Sequence, residues 1–206
     1  MNERNKRGIV IDASHKCMLK CHKCERAWYV KNRQKVPGND LTVDQFKKIA
    51  RYYTNFIEFC GQRGDVVMNP DLAKFLEITY EAGIDTKVNT AAGYRDMNWY
   101  IECFKANPNC DWTFGIDGLP EQSHIYRKNQ DGVKLFNIMV EATKHLNKKP
   151  VWQYIAFNYN EDNIELAKEM ARDNNIIFEL NVSARFDGPN DPYIPEGKNL
   201  ATSFIS

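Results

Sequence analysis

A chain of 206 residues, 43% hydrophobic and 12% aromatic, is long enough to bury one sizeable core, and one domain is expected over 1–206. Lys and Arg number 28 against 27 Asp and Glu, so a net charge of +1 supplies no field to gather nucleic acid or an anionic membrane. No apolar run approaches the ~20 residues that span a bilayer, and no signal peptide is read before Gly8, so a cytoplasmic protein is expected.

Residues 1–7 read as a short, solvated basic arm. Short β-rich runs then alternate with stretches of helical period, the pattern of βαβ units. Strands are expected near 8–13, 56–60, 85–90, 111–116, 151–157 and 177–183. Thr42-Val-Asp-Gln45 reads as a capping box before the stripe Phe46, Ile49, Ala50 and Tyr53. Asn69-Pro70 predicts a cap with proline in the first turn, followed by Leu72, Phe75, Leu76 and Thr79 and closed by Gly83. Further helices are expected near 95–106, 131–147 and 161–174. Residues 187–206, with three prolines and two glycines, read as an irregular tail. The expected fold is α/β, a partial (β/α)6 TIM-like barrel of parallel strands, whose chemistry sits at the carboxyl ends of the strands.

After the first strand, Cys17, Cys21 and Cys24 fall within eight positions, where one loop can aim three thiolates at a common point. No fourth protein ligand is evident nearby. Iron–sulfur clusters are usually held by four cysteines; three would hold three corners of a [4Fe-4S] cubane and leave one iron for a ligand from solution. The alternative is structural zinc completed by His15 or His22, in a non-catalytic, metal-stapled binding protein, although the commoner zinc pattern has two well-separated ligand pairs. Cys103 and Cys110 read as small core residues, and Cys60 as a thiol at a strand end with a buried, inert role as its default.

Cys-x3-Cys-x2-Cys after a first strand resembles the signature of the radical S-adenosylmethionine (SAM) superfamily, and the likeness runs from about Gly8 to Phe186. The resemblance implies that Cys17, Cys21 and Cys24 are the metal ligands and that a [4Fe-4S] cluster and S-adenosylmethionine are the cofactors. One departure is Lys23, where that family commonly has an aromatic residue before the third cysteine; Trp28 and Tyr29 are the aromatic substitutes within reach in sequence.

The later strand ends extend the likeness. Cys60-Gly61-Gln-Arg63-Gly64-Asp65 is similar to the family's Gly-Gly-Glu-Pro element for the methionyl amino group, with Gly61, Gly64 and Asp65 as the matching positions; an ordinary tight turn is the alternative. Asn89-Thr90 resembles a Thr-Asn-Gly turn with the order changed, and its side chains are read as ribose or substrate contacts, with a plain polar strand-to-helix turn as the alternative. Gly115-Ile-Asp117-Gly118, followed by Tyr126-Arg127, looks like a Ser-Ile-Asp-Gly segment with a downstream Tyr-Arg. There Asp117 is read as the partner of a substrate hydroxyl or amine and Arg127 as a carboxylate fork, the two catalytic assignments; an ordinary Asp-Gly turn and a surface ion pair of Arg127 are the alternatives. Asn160 reads as a helix cap, and Arg185 as a SAM-carboxylate or anionic-substrate ligand.

The implied reaction is reductive cleavage of SAM to a 5′-deoxyadenosyl radical that abstracts hydrogen from a substrate, with electrons from an external flavodoxin- or ferredoxin-like reductant. The fourth-strand likeness favours a peptide over a nucleotide or other small metabolite. No cysteine follows position 110, so no auxiliary cluster is expected in this chain, and the barrel is expected to stand open to a bulky substrate or partner protein.

Overall fold

The computed structural model describes residues 7–183 and 185–197. Most of the basic arm (1–6) and the end of the tail (198–206) lie outside the described residues. The chain runs β1 (Gly8–Ile11), β2 (Lys20–Cys21), α1 (Glu25–Lys31), α2 (Val43–Tyr52), β3 (Phe56–Phe59), α3 (Leu72–Glu81), β4 (Asp85–Thr90), α4 (Met97–Ala106), β5 (Asp111–Gly115), β6 (Arg127–Lys128), α5 (Gly132–Ala142), β7 (Val151–Ala156), α6 (Ile164–Asp173) and β8 (Ile177–Val182).

Six strands form one parallel sheet in the order β1-β3-β4-β5-β7-β8. Each strand lies beside the next one in the chain, so the sheet is wound in one direction and its crossover helices fall on one side. Alternation along the strands separates two faces. Ile57 and Phe59, Val88, Trp112 and Phe114, and Trp152 and Tyr154 are buried on the helix side. Glu58, Lys87, Asn89 and Gln153 alternate with them on the concave side and are only partly buried. The helix side is a dense aromatic core: Phe46 of α2 lies 4.6 Å from Phe75 of α3 and 5.6 Å from Phe59, and Phe104 of α4 lies 4.9 Å from Trp112, edge on.

Several local signals place the helices as the sequence predicts. The Thr42 hydroxyl accepts the Gln45 N–H at 3.3 Å and the Gln45 side chain accepts the Thr42 N–H at 3.0 Å, closing the capping box. Thr42→Ala is expected to cost about 1 kcal/mol in a urea titration, the usual loss for an N-cap hydroxyl. Gly83, at φ +63°, ends α3: its N–H bonds to Tyr80 O, and the Ile84 N–H to Thr79 O. Asn175, at φ +58°, ends α6 in the same manner.

Two caps differ from expectation. Asn69 does not begin α3, which starts at Leu72; its Oδ1 accepts the Asp71 N–H, while its Nδ2 donates to Ala13 O and Leu41 O. The buried amide ties three loops together instead. Asn160 likewise makes no side-chain cap: it accepts from Phe157 N–H and donates to Ile155 O, turning the chain at the end of β7.

Two elements were not foreseen. Helix α1 follows the cysteines with no buried residue, so it lacks the apolar stripe by which helices are read. β2 and β6 form a two-residue antiparallel ladder, Lys20 opposite Lys128 and Cys21 opposite Arg127, too short for any sequence period.

Candidate active site

The carboxyl ends of the parallel strands carry the polar segments. The cysteine loop leaves β1 and is propped from beneath by the 61–65 turn. The Asp65 N–H donates to Lys16 O at 2.8 Å, and Gly64 lies so close that a Cβ there would stand 1.8 Å from Ser14 O. A Cβ on Gly61 would stand 1.9 Å from Gly64 O. Both glycines are required by close backbone approach.

Gly61, Gly64, Asp65, Asn89, Thr90 and Arg127 line one cavity of about 150 Å³, together with Cys60, Thr113, Gly115 and Gln153. Five of the six predicted cofactor-binding residues therefore meet at one place, with Arg127 beside them. Cys60 is half-buried in its wall and not sealed in the core, whereas Cys103 and Cys110 are fully buried. Sequence reading missed Thr113 and Gln153. The signal was available in the period-two alternation of β7, where Gln153 faces away from buried Trp152 and Tyr154.

The roles of several residues change. Asp65 is 5% exposed, and its Oδ1 accepts from Val67 N–H and Thr90 Oγ1 while its Oδ2 accepts from the Ala91 and Ala92 N–H groups. A carboxylate offers about four acceptor sites, so none remains for a methionyl amino group. Burial raises its pKa and these donors pull the other way, with a net upward shift. Asp65 is a positioning residue that locks the end of β4 to the 61–65 turn. Asp65→Ala would strand these donors and is expected to cost about 3 kcal/mol by urea denaturation. The Thr90 hydroxyl is committed in the same way, donating to Asp65 and accepting the Ala92 N–H. Asn89 donates to Glu58 at 2.6 Å on the concave face and remains on the cavity wall.

Asp117 and Arg127 bind one another. The guanidinium donates through Nε to Oδ2 at 2.7 Å and through Nη2 to Oδ1 at 3.2 Å, with Asp117 fully buried and Arg127 15% exposed. Asp117 also accepts the Ile155 N–H. The predicted contact of Asp117 with a substrate hydroxyl or amine is thereby corrected: no face of it reaches solvent. Arg127 keeps an edge on the cavity because Gly115 has no side chain; a Cβ there would lie 3.0 Å from Nη2. Arg185 is a second correction. It is exposed, its backbone N–H bonds to Ser183 Oγ, and it is not among the cavity-lining residues.

The cysteines are partly buried and free. Cys17 Sγ accepts the Leu19 N–H at 3.4 Å, and burial pushes its pKa up to about 12, with the Asp65 charge and the other two thiols adding to the rise. Burial also raises the Cys21 pKa, against the pull of Arg127. Metal binding here would displace the thiol protons. Three thiols on one loop are the donor type of an iron–sulfur cluster. Among the described residues, the three loop thiols included, no three His, Cys, Asp or Glu side chains form a group arranged to hold a metal ion. Of the histidines of the zinc alternative, His15 Nδ1 lies 3.4 Å from Asp40 Oδ1 and is buried without a hydrogen-bond partner among the described residues, and the His22 ring packs 4.7 Å from Tyr193.

The described part of the tail is not a loose connection. Lys23 pairs with Asp187 and, at 3.3 Å, with Asp191; Asn158 N–H donates to Tyr193 O; and the buried Glu161 carboxylate accepts the Glu196 and Gly197 N–H groups at 2.8 and 3.0 Å. The described part of the tail thus lies across His22 and Lys23, and none of its residues is among those that line the glycine-lined cavity. Trp28 is 55% exposed on α1.

Among solved structures, the chain superposes on Streptococcus suis SuiB bound to S-adenosylmethionine, with a TM-score of 0.70 and 14% identity over 92% of this chain and 43% of that one. It also matches anSMEcpe with bound AdoMet and Cp18Cys peptide, at 0.66 and 14% over 90% and 54%. Methylornithine synthase (PylB) matches at 0.67 and 13% over 95% and 59%. These structures are radical SAM enzymes. The chain shares the fold of these structures, a TIM-like barrel arrangement of parallel strands alternating with helices. It spans about half the length of these radical SAM structures. No protein-family model and no curated protein matches the sequence. Among the described residues no helix is long and apolar enough to cross a membrane.

Proposed function

We propose that this chain is the core of a radical SAM enzyme, in which Cys17, Cys21 and Cys24 hold a [4Fe-4S] cluster and SAM occupies the adjoining strand-end cavity. The observation that carries the reading is positional. A cysteine loop with three thiols leaves the first strand of a radical SAM fold, and its base rests on the turn whose two glycines line the cavity. When bound, a reduced cluster supplies the electron that cleaves SAM to a 5′-deoxyadenosyl radical.

The chain's own groups hold and shape the site. Gly61 and Gly64 admit close backbone approach, Asp65 fixes the cavity floor, and Asn89 and Gln153 offer amide contacts on the wall. The cavity of about 150 Å³ suits one end of an extended ligand. Arg127 presents donors not engaged by Asp117, fitted to a carboxylate. We assign substrate entry to the concave face, where the sheet is partly exposed and polar, and favour a peptide substrate, in keeping with the peptide bound to anSMEcpe. An external one-electron reductant and a cytoplasmic setting complete the proposal.

Anaerobic reconstitution with iron and sulfide, followed by reduction in the presence of SAM, tests the reading. The expected result is a [4Fe-4S] absorption and EPR signature with formation of 5′-deoxyadenosine. Tight binding of zinc with no cluster and no SAM cleavage would favour the metal-stapled binding protein.

A further inference from the structure

The buried Asp117–Arg127 pair stands beside the cysteine loop, with Arg127 in register with Cys21. Cys21 and Arg127 are direct partners across the β2–β6 ladder. Opposed residues in an antiparallel pair carry their side chains on one face, with Cβ atoms about 5 Å apart. The guanidinium is therefore held on the same side as the Cys21 thiol. Asn129 Nδ2 adds a bond to Met18 O, fastening the strand that follows Arg127 to the cysteine loop. From the other side, Asp117 grips the guanidinium through both oxygens and is itself fixed by the Ile155 N–H. Gly115 provides the space through which the guanidinium passes.

Arg127 is the cation opposite Cys21 in the ladder, and the Asp117 carboxylate is paired with it. Lys23, two residues from Cys21 in sequence, instead directs its ammonium to Asp187 and Asp191.

Building on the cluster reading above, we infer that Arg127 is a positioning residue that sets the reduction potential of the cluster, and that Asp117 sets how strongly its charge is felt. Reduction adds negative charge to the cluster, so a fixed cation beside one sulfur favours the reduced form and raises the potential, while an anion lowers it. Burial makes both effects larger than they would be in water.

The test is an EPR-monitored redox titration of the reconstituted protein, wild type against Arg127→Gln, Arg127→Lys and Asp117→Asn. Arg127→Gln is expected to shift the potential negative, Asp117→Asn to shift it positive, and Arg127→Lys to stay nearest the wild type because the charge remains. A purely structural role would lower cluster content in all three without opposed shifts. If Arg127→Gln fails to fold, as judged by circular dichroism, the Asp117→Asn and Arg127→Lys pair still decides the sign. Equal potentials in all proteins, or shifts of the same sign for Arg127→Gln and Asp117→Asn, would overturn the inference while leaving the cluster reading intact. A wild type that takes up no cluster would overturn both.

Discussion

Alanine at any one of Cys17, Cys21 or Cys24 is expected to abolish formation of 5′-deoxyadenosine and to reduce iron and sulfide to the level of a cysteine-free control. The reason is geometric: each sulfur is one of three proposed protein bonds to the cluster, and no fourth thiolate stands by to replace it. Cys60 faces the cavity from the end of β3, and the fully buried Cys103 and Cys110 lie in α4 and just before β5. Cys103→Ala is the appropriate control, since it removes one buried sulfur from the helix-side core. It is expected to cost about 1 kcal/mol of stability and to leave cluster content unchanged. Iron analysis, absorption spectroscopy and product chromatography on the four variants check this. Full SAM cleavage by any of the three loop variants would remove the assignment.

Gly64→Ala is the second large effect. A Cβ at this position meets Ser14 O at 1.8 Å, Ser14 C at 2.7 Å and Lys16 O at 3.0 Å, all backbone atoms that cannot swing aside. Relief requires the 61–65 turn to separate from the start of the cysteine loop, breaking the Asp65 N–H to Lys16 O bond. The expected loss is ~3 kcal/mol, or about 6–12 °C in thermal melting for a chain of this size, with lower cluster uptake because the loop has lost its support. Gly83→Ala makes the contrast. It introduces strain at φ +63° but meets nothing within 4 Å, so a cost of ~1 kcal/mol and normal cluster uptake are expected. Melting curves and iron content measured on both variants separate steric collapse of the site from general backbone strain.

The strand pattern was legible because each strand packs one face against helices. Phe56-Ile-Glu-Phe59 and Val151-Trp-Gln-Tyr-Ile-Ala156 alternate cleanly, and their positions follow from that period. The site was legible in location but less so in role. Gly61, Gly64, Asp65, Asn89, Thr90 and Arg127 meet around one cavity, as their places after successive strands imply. What sequence cannot show is which polar group has already been satisfied by another. Asp65 looks available until Val67, Thr90, Ala91 and Ala92 are seen to fill it, and Asp117 looks like a substrate ligand until it is seen to be buried against Arg127. The β2–β6 ladder was illegible for a different reason. It joins Cys21 to Arg127 across more than a hundred residues with one pair of positions on either side, and no periodicity accompanies so short a pairing. The described part of the tail is irregular, as its proline and glycine content implies, but its docking was illegible, because its placement comes from Lys23 and Glu161, which lie far away in the chain.

The central claim is that three protein sulfurs leave one iron of four open to SAM, and Mössbauer spectroscopy of the protein reconstituted with iron-57 tests it most directly. One iron in four should change its isomer shift when SAM is added, while the other three hold their parameters. Four irons that are indifferent to SAM, or a reconstituted protein that binds no iron cluster at all, would contradict the account.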